Sequence, residues 1–256
     1  MQLNFNKSLA AGYKSPAQQA RVLTESWVKD EVYCPNCGHV ALTKYRNNAP
    51  VKDFACKECS EDYELKAKKN AFGSKIVDGK YRTMMKQLRS SKVPNLFTLT
   101  YDATHGCVRN LVVIPSHFFV PEIIERRKPL SKKAQQAGWI GCNILIGQIP
   151  QAGRVSLIEQ GVPLSKASVL TAWKRTLFLR EQKKVEARGW TLDVMRCVEQ
   201  LDKPEFTLAE MYRYENRLSG LHAKNRHVRA KIRQQLQVLR DAGYLEFAGR
   251  GSYKIV

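Results

Sequence analysis

The chain has 256 residues, 43 Lys plus Arg against 23 Asp plus Glu, and a net charge of +20. A chain of that length buries roughly 70–75% of its unfolded surface and needs no disulfide staples. With 43% apolar residues and no apolar run of 18, it is neither a disordered polyelectrolyte nor a transmembrane protein. Its start, MQLNFNKSLA, carries no apolar leader, so a cytoplasmic chain is expected. A large positive charge on a folded chain calls for a polyanionic partner, most simply nucleic acid rather than a membrane surface.

Taken in chain order, SPAQQARVLTESWVKD (15–30) predicts a helix. Ser15 can cap it, Pro16 suits its first position, and Ala20, Leu23 and Trp27 recur at helical spacing. A strand is expected at Val51–Ala55, and an alternating strand at 62–68 sets Asp62, Glu64, Lys66 and Lys68 against Tyr63, Leu65 and Ala67. Residues 75–89 read as a helix with Val77, Tyr81, Met84, Met85 and Leu88 on one side. Strands follow at 95–101, 108–115 and 154–161, and a connecting helix at 165–185. The pattern then resets, and two domains are expected, 1–185 and 186–256. Helices at 191–201, 207–218 and 224–241 precede a Gly-rich ribbon, YLEFAGRGSYKIV. That is the layout of a winged helix-turn-helix.

Seven cysteines are an odd number and suit a reducing compartment. Cys107, Cys142 and Cys197 sit in apolar surroundings and read as buried thiols. The other four form Cys34-Pro35-Asn36-Cys37 and, eighteen residues later, Cys56-Lys57-Glu58-Cys59. Two Cys-x-x-Cys knuckles at such spacing close a tetrahedral structural Zn²⁺ site, leaving no open position for catalysis. A redox dithiol and two chance pairs are the alternatives.

Pro50-Val51-Lys52-Asp53 lies on one side of the second knuckle and Glu64-Leu65-Lys66 on the other. Residues two apart on a strand share a face, so Glu64 and Lys66 project together. A hairpin with the knuckle as its turn would bring Asp53 beside them. Two carboxylates suit Mg²⁺, which seeks oxygen ligands, and a lysine alongside can orient water or stabilise phosphate charge. The plain alternative is a solvated strand face with a weak ion pair. The lysines that continue the strand, Lys68 and Lys69, could meet DNA phosphates.

PVKDFACKECSEDYELKAKK resembles a PD-(D/E)XK nuclease core. With YCPNCG, DGKYRTMMK (78–86), KPLSKKAQQAGWIGCNI (128–144), ARGWT (187–191) and IRQQLQVLRD (232–241), nearly the whole chain resembles the DpnI-like methyl-directed restriction endonucleases. The resemblance implies an α/β fold with a mixed sheet, an inserted four-cysteine zinc site and a C-terminal winged helix. It implies that Asp53, Glu64 and Lys66 are catalytic, and that Asp53, Glu64 and the Leu65 backbone carbonyl hold Mg²⁺. It also implies double-strand cleavage of G-A-T-C carrying N6-methyladenine. Methylation dependence enters only through this resemblance.

Arg226, Arg229, Arg233 and Arg240, at offsets of 3, 7 and 14 residues, fall in one sector of the last helix. Val228, Ile232, Leu236 and Leu239 fall in the neighbouring one. The arginines suit guanine, Asn225 at the helix start suits adenine, and Arg250 at the ribbon tip suits a minor groove or phosphate. Trp139, between Gly138 and Gly141, is a candidate for contact with methylated adenine and equally an ordinary core tryptophan. One methyl group provides about 0.8 kcal/mol as buried area, so reading the site with both domains would multiply a small preference. The expected partner is double-stranded DNA methylated on adenine, met by a monomer. A non-catalytic zinc-ribbon regulator with the same winged helix is the competing class.

Overall fold

The computed structural model describes residues 1–46, 52–90 and 92–256. Pro50 and Val51, with the first residue of the strand expected at Val51–Ala55, lie outside them. The chain forms two compact units: Met1–Gly147 with Ala152–Lys174, and Gln148–Gln151 with Arg175–Val256. The division at 174/175 lies upstream of the expected 185/186.

The first unit contains helix α1 (Pro16–Glu31) and strands β1 (Thr43–Lys44), β2 (Phe54–Ala55), β3 (Asp62–Lys68) and β4 (Ile76–Lys80). Helix α2 (Tyr81–Arg89) follows, then β5 (Asn95–Asp102), β6 (Cys107–Ile114), β7 (Ile124–Arg126), β8 (Gly141–Ile144), β9 (Val155–Glu159), β10 (Val162–Pro163) and helix α3 (Lys166–Lys174). Seven strands form one mixed sheet in the order β1-β2-β3-β5-β6-β9-β10. Every pairing in it is antiparallel except β3 with β5, which is parallel. β4, β8 and β7 form a second, antiparallel sheet.

Helix α1 begins at Pro16 as expected, but the Ser15 side chain makes no capping hydrogen bond. Trp27 and Val28 are buried, and α1 packs on β3. Tyr63 stacks on Phe97 across the β3–β5 pairing, with centroids 4.8 Å apart. Phe54, Leu96, Leu99, Leu111 and Leu157 complete a core that is closed to solvent. Such a core makes the strands that carry the acids rigid.

Two elements differ from expectation. The helix expected at 75–89 starts only at Tyr81, because Ile76–Lys80 pairs with β8. Ile76 and Asp78 alternate inward while Val77 is exposed, which is a strand period. The single helix expected at 165–185 is instead α3 and, in the second unit, α4 (Phe178–Glu181), separated by a turn. Cys142 and Cys197 are buried as expected, whereas Cys107 is half-buried.

The second unit continues with α5 (Val185–Gln200), β11 (Glu205–Thr207), α6 (Leu208–Tyr212), α7 (Glu215–Leu221), α8 (Val228–Asp241), β12 (Leu245–Gly249) and β13 (Ser252–Ile255). The middle helix expected at 207–218 is thus two short helices. Thr207 caps α6 through a reciprocal box with Glu210. Val228, Ile232, Leu236 and Leu239 of α8 are buried, and α8 packs on α5, α6, α7 and β12. β12 and β13 form the wing, and β11 pairs with β13 as the third strand.

Candidate nuclease centre and nucleic-acid interface

The four thiols of the two knuckles come together. Cys34 Sγ lies 3.5 Å from Cys59 Sγ, Cys37 Sγ lies 3.6 Å from Cys56 Sγ, and all four atoms lie within 4.8 Å of one another. A tetrahedron with Zn–S near 2.3 Å has edges of about 3.8 Å, so the cage has the size that zinc requires. Each knuckle closes by a backbone bond, Gly38 N–H to Cys34 O and Ser60 N–H to Cys56 O. Burial pushes the Cys34 thiol up, so a thiolate there calls for a cation. Among the described residues no other group of three or more Cys, His, Asp or Glu converges this way.

The Cys56–Cys59 knuckle is the turn between β2 and β3. Asp53, just ahead of β2, is held by its backbone and its side chain together. Its N–H donates to Tyr63 O at 2.9 Å, and its carbonyl accepts from Tyr45 N–H at 2.8 Å. Its Oδ2 accepts the Leu65 N–H at 2.7 Å. The carboxylate of Asp53 is therefore placed at the residue between Glu64 and Lys66. Those two share a face, with Lys66 Nζ 2.6 Å from Glu64 Oε1.

A residue outside the expected set joins them. Asp78 Oδ1, from β4 of the second sheet, lies 2.8 Å from Lys66 Nζ. Its side chain is 4% exposed. The signal was in the sequence: a strand reading of 76–80 puts Asp78 on the inward face with Ile76. An open cavity of about 320 Å³ is lined by Glu64, Lys66, Asp78, Lys80, Thr83 and Gln87, among others.

Electrostatics follow from this packing. Burial, then the charges of Asp78 and Asp53, push the Glu64 carboxyl up to about 7 against the pull of Lys66. Burial also raises Asp53, with the Leu65 N–H pulling the other way. For Lys66 burial alone would favour the neutral amine, but Glu64 and Asp78 outweigh it and hold the ammonium charged. Lys66 is thus a fixed cation and hydrogen-bond donor rather than a base.

Lys68 and Lys69, beyond the acids on and after β3, are exposed. Trp139 is half-buried and lines a separate open cavity of about 630 Å³ with Lys80, Tyr81, Arg82, Arg126 and Gln136. A Cβ at Gly141 would lie 2.6 Å from the Trp139 ring, so glycine is what lets the ring fold back on the chain.

In the second unit the expected DNA contacts divide. Arg233 on α8 and Arg250 at the wing tip are exposed. Arg229 is exposed too, but it donates to Glu215 at 2.7 Å, and its guanidinium lies 5.1 Å from the centre of the Tyr212 ring. Arg240 is bound to Asp241 and lies over Phe247. Asn225 and Arg226 precede α8, which starts at Val228 rather than at 224. Asn225 Oδ1 accepts the His227 N–H at 2.8 Å, a local turn contact that keeps the backbone out of the helix there.

Two family models match the chain. The Dam-replacing family, DpnI, covers residues 1–182. The Dam-replacing HTH domain covers residues 186–255. No helix among the described residues is long and apolar enough to cross a membrane.

Proposed function

The chain belongs to the Dam-replacing DpnI family, and from that premise we propose that it is a Mg²⁺-dependent endonuclease cutting double-stranded DNA at G-A-T-C sites with N6-methyladenine. The family supports a restriction nuclease with a DNA-binding helix-turn-helix domain. The target site and the metal are part of the proposal. One observation carries it: the Asp53 carboxylate accepts the Leu65 N–H between Glu64 and Lys66, in the middle of β3, and Glu64 and Lys66 line an open cavity.

Asp53, Glu64 and the Leu65 carbonyl would hold Mg²⁺. The donor set fits a hard cation, because two carboxylates raised by burial are relieved by a dication. A Mg²⁺ held there would supply Lewis-acid polarisation of a phosphate and a more acidic water. The chain's own groups do the rest. Lys66 keeps its charge, so its N–H groups can orient the attacking water and stabilise negative charge as it grows on the phosphate oxygens. The Leu65 N–H fixes Asp53 so that the site does not reorganise when the substrate arrives. Four cysteines with zinc would hold the β2–β3 turn and take no part in the chemistry.

The division of labour we propose is a nuclease domain at 1–185 and a winged helix at 186–256. Both would read the methylated palindrome, Trp139 on one and Asn225, Arg226, Arg229, Arg233 and Arg250 on the other. Lys68 and Lys69 would meet the backbone. A monomer in the cytoplasm is the expected working form.

The test is to incubate adenine-methylated and unmethylated plasmid with Mg²⁺, with Asp53→Ala as control. The expected result is cleavage of methylated plasmid only, and none by the variant. A wild-type protein that binds both plasmids and cuts neither would instead be a zinc-ribbon regulator.

A further inference from the structure

Glu64 and Asp78 share one cation. An ammonium has three N–H donors; one goes to Glu64 Oε1 at 2.6 Å and one to Asp78 Oδ1 at 2.8 Å. If Glu64 is also a ligand of the catalytic metal, its carboxylate cannot serve both cations as fully. Asp78 has no such competing task. It approaches from a different sheet, with its side chain almost closed to solvent. Its aim is set by an irregularity in the strand: β4 opposes β8 with a register shift between Asp78 and Lys80, at Gly79. An extra residue in one strand redirects the neighbouring side chain. A buried carboxylate needs a charged partner, and among its described contacts that partner is Lys66.

We propose that Asp78 is the positioning residue of the centre. It holds the Lys66 ammonium in place when Glu64 turns to the metal, leaving the third N–H for water or phosphate. This rests on the reading of Glu64 as a metal ligand and Lys66 as the catalytic cation. Asp78 acts through Lys66 and touches neither metal nor DNA.

The near-isosteric Asp78→Asn substitution keeps an oxygen for the Lys66 N–H and removes the charge. The expected result on methylated duplex is a kcat lowered about tenfold or more, with KM and duplex affinity in Ca²⁺ within about twofold. Placed in a Lys66→Met background, the same substitution leaves the residual rate unchanged, because the group it acts through is gone. A merely structural ion pair between the sheets predicts the opposite: equal losses in both backgrounds, tracking the melting temperature. Asp78→Ser, assayed where circular dichroism shows it folded, gives a second variant with the same expectation.

A readout independent of cleavage is acetylation of Lys66 by acetic anhydride in the Mg²⁺-loaded protein, mapped by mass spectrometry. Asp78→Asn raises the Lys66 rate several-fold and leaves Lys68 and Lys69 unchanged. Wild-type kcat in Asp78→Asn, equal losses in both backgrounds, or unchanged Lys66 reactivity would each overturn the proposal. An inert wild-type protein would overturn the nuclease reading, and this proposal with it.

Discussion

The hydroxyl of Tyr63 lies 3.1 Å from Cys34 Sγ, so the strand that carries Glu64 is tied to the first cysteine knuckle. The carbonyl of the same tyrosine accepts the Asp53 N–H, and its ring stacks on Phe97 in the core. One residue thus joins the four-thiol cage, the acid-bearing hairpin and the sheet. A hydrogen bond to a ligating thiolate orients it and offsets part of its charge.

Tyr63→Phe keeps the ring and the stack and loses only the hydroxyl. Zinc affinity should fall about tenfold, read as faster transfer of the metal to a chromophoric chelator. Unchanged transfer would show that the hydroxyl does not support the cage.

Asp53→Ala removes a carboxylate whose partners are a backbone N–H and a proposed cation. Cleavage should drop by about a hundredfold or more, while duplex affinity in Ca²⁺ changes by less than about threefold. A comparable loss of binding would place Asp53 in DNA recognition.

The raised Glu64 carboxyl makes a statement about stability without divalent cations. Folded, it holds its proton up to about pH 7; unfolded, it loses it near 4.5. The folded state therefore binds more protons between those values, and stability falls as pH rises through them. Glu64→Gln should change stability little below pH 4.5 and raise it by roughly 3 kcal/mol above pH 7. Urea unfolding at pH 5 and pH 8 checks this. An equal effect at both would remove the assignment of burial as the cause.

Arg229, Arg233 and Arg250 are all exposed, but of the three only Arg229 is paired among the described residues, with Glu215. Arg233→Ala and Arg250→Ala should each weaken duplex binding and reduce the slope of log K against log salt by about 1. Arg229→Ala should change that slope less, because its charge is already paired within the unit. Equal slopes for all three would mean that the Glu215 pair opens on DNA.

Much of the candidate centre was readable from short spacing. Cys-x-x-Cys sets two thiols within one turn, and Glu64-x-Lys66 sets two side chains on one face of a strand. The last helix showed its buried side, Val228, Ile232, Leu236 and Leu239. What misled was the same kind of pattern carried too far. Tyr81, Met84 and Leu88 do recur at helical spacing, but the reading ran back over Ile76–Lys80, where pairing with β8 prevails over local periodicity. Asn225 and Arg226 looked helical by offset and lie in a turn instead.

By itself the sequence determined the two cysteine knuckles, the Glu64–Lys66 pair and the winged layout, because each depends on a period of two, three or four residues along one chain segment. The tertiary structure decided what comes from elsewhere. It set Asp53 against the Leu65 N–H, turned Tyr63 toward Cys34, and brought Asp78 from a second sheet to Lys66. Such contacts depend on which strands pair and where a register shifts, and no local period in the chain encodes that.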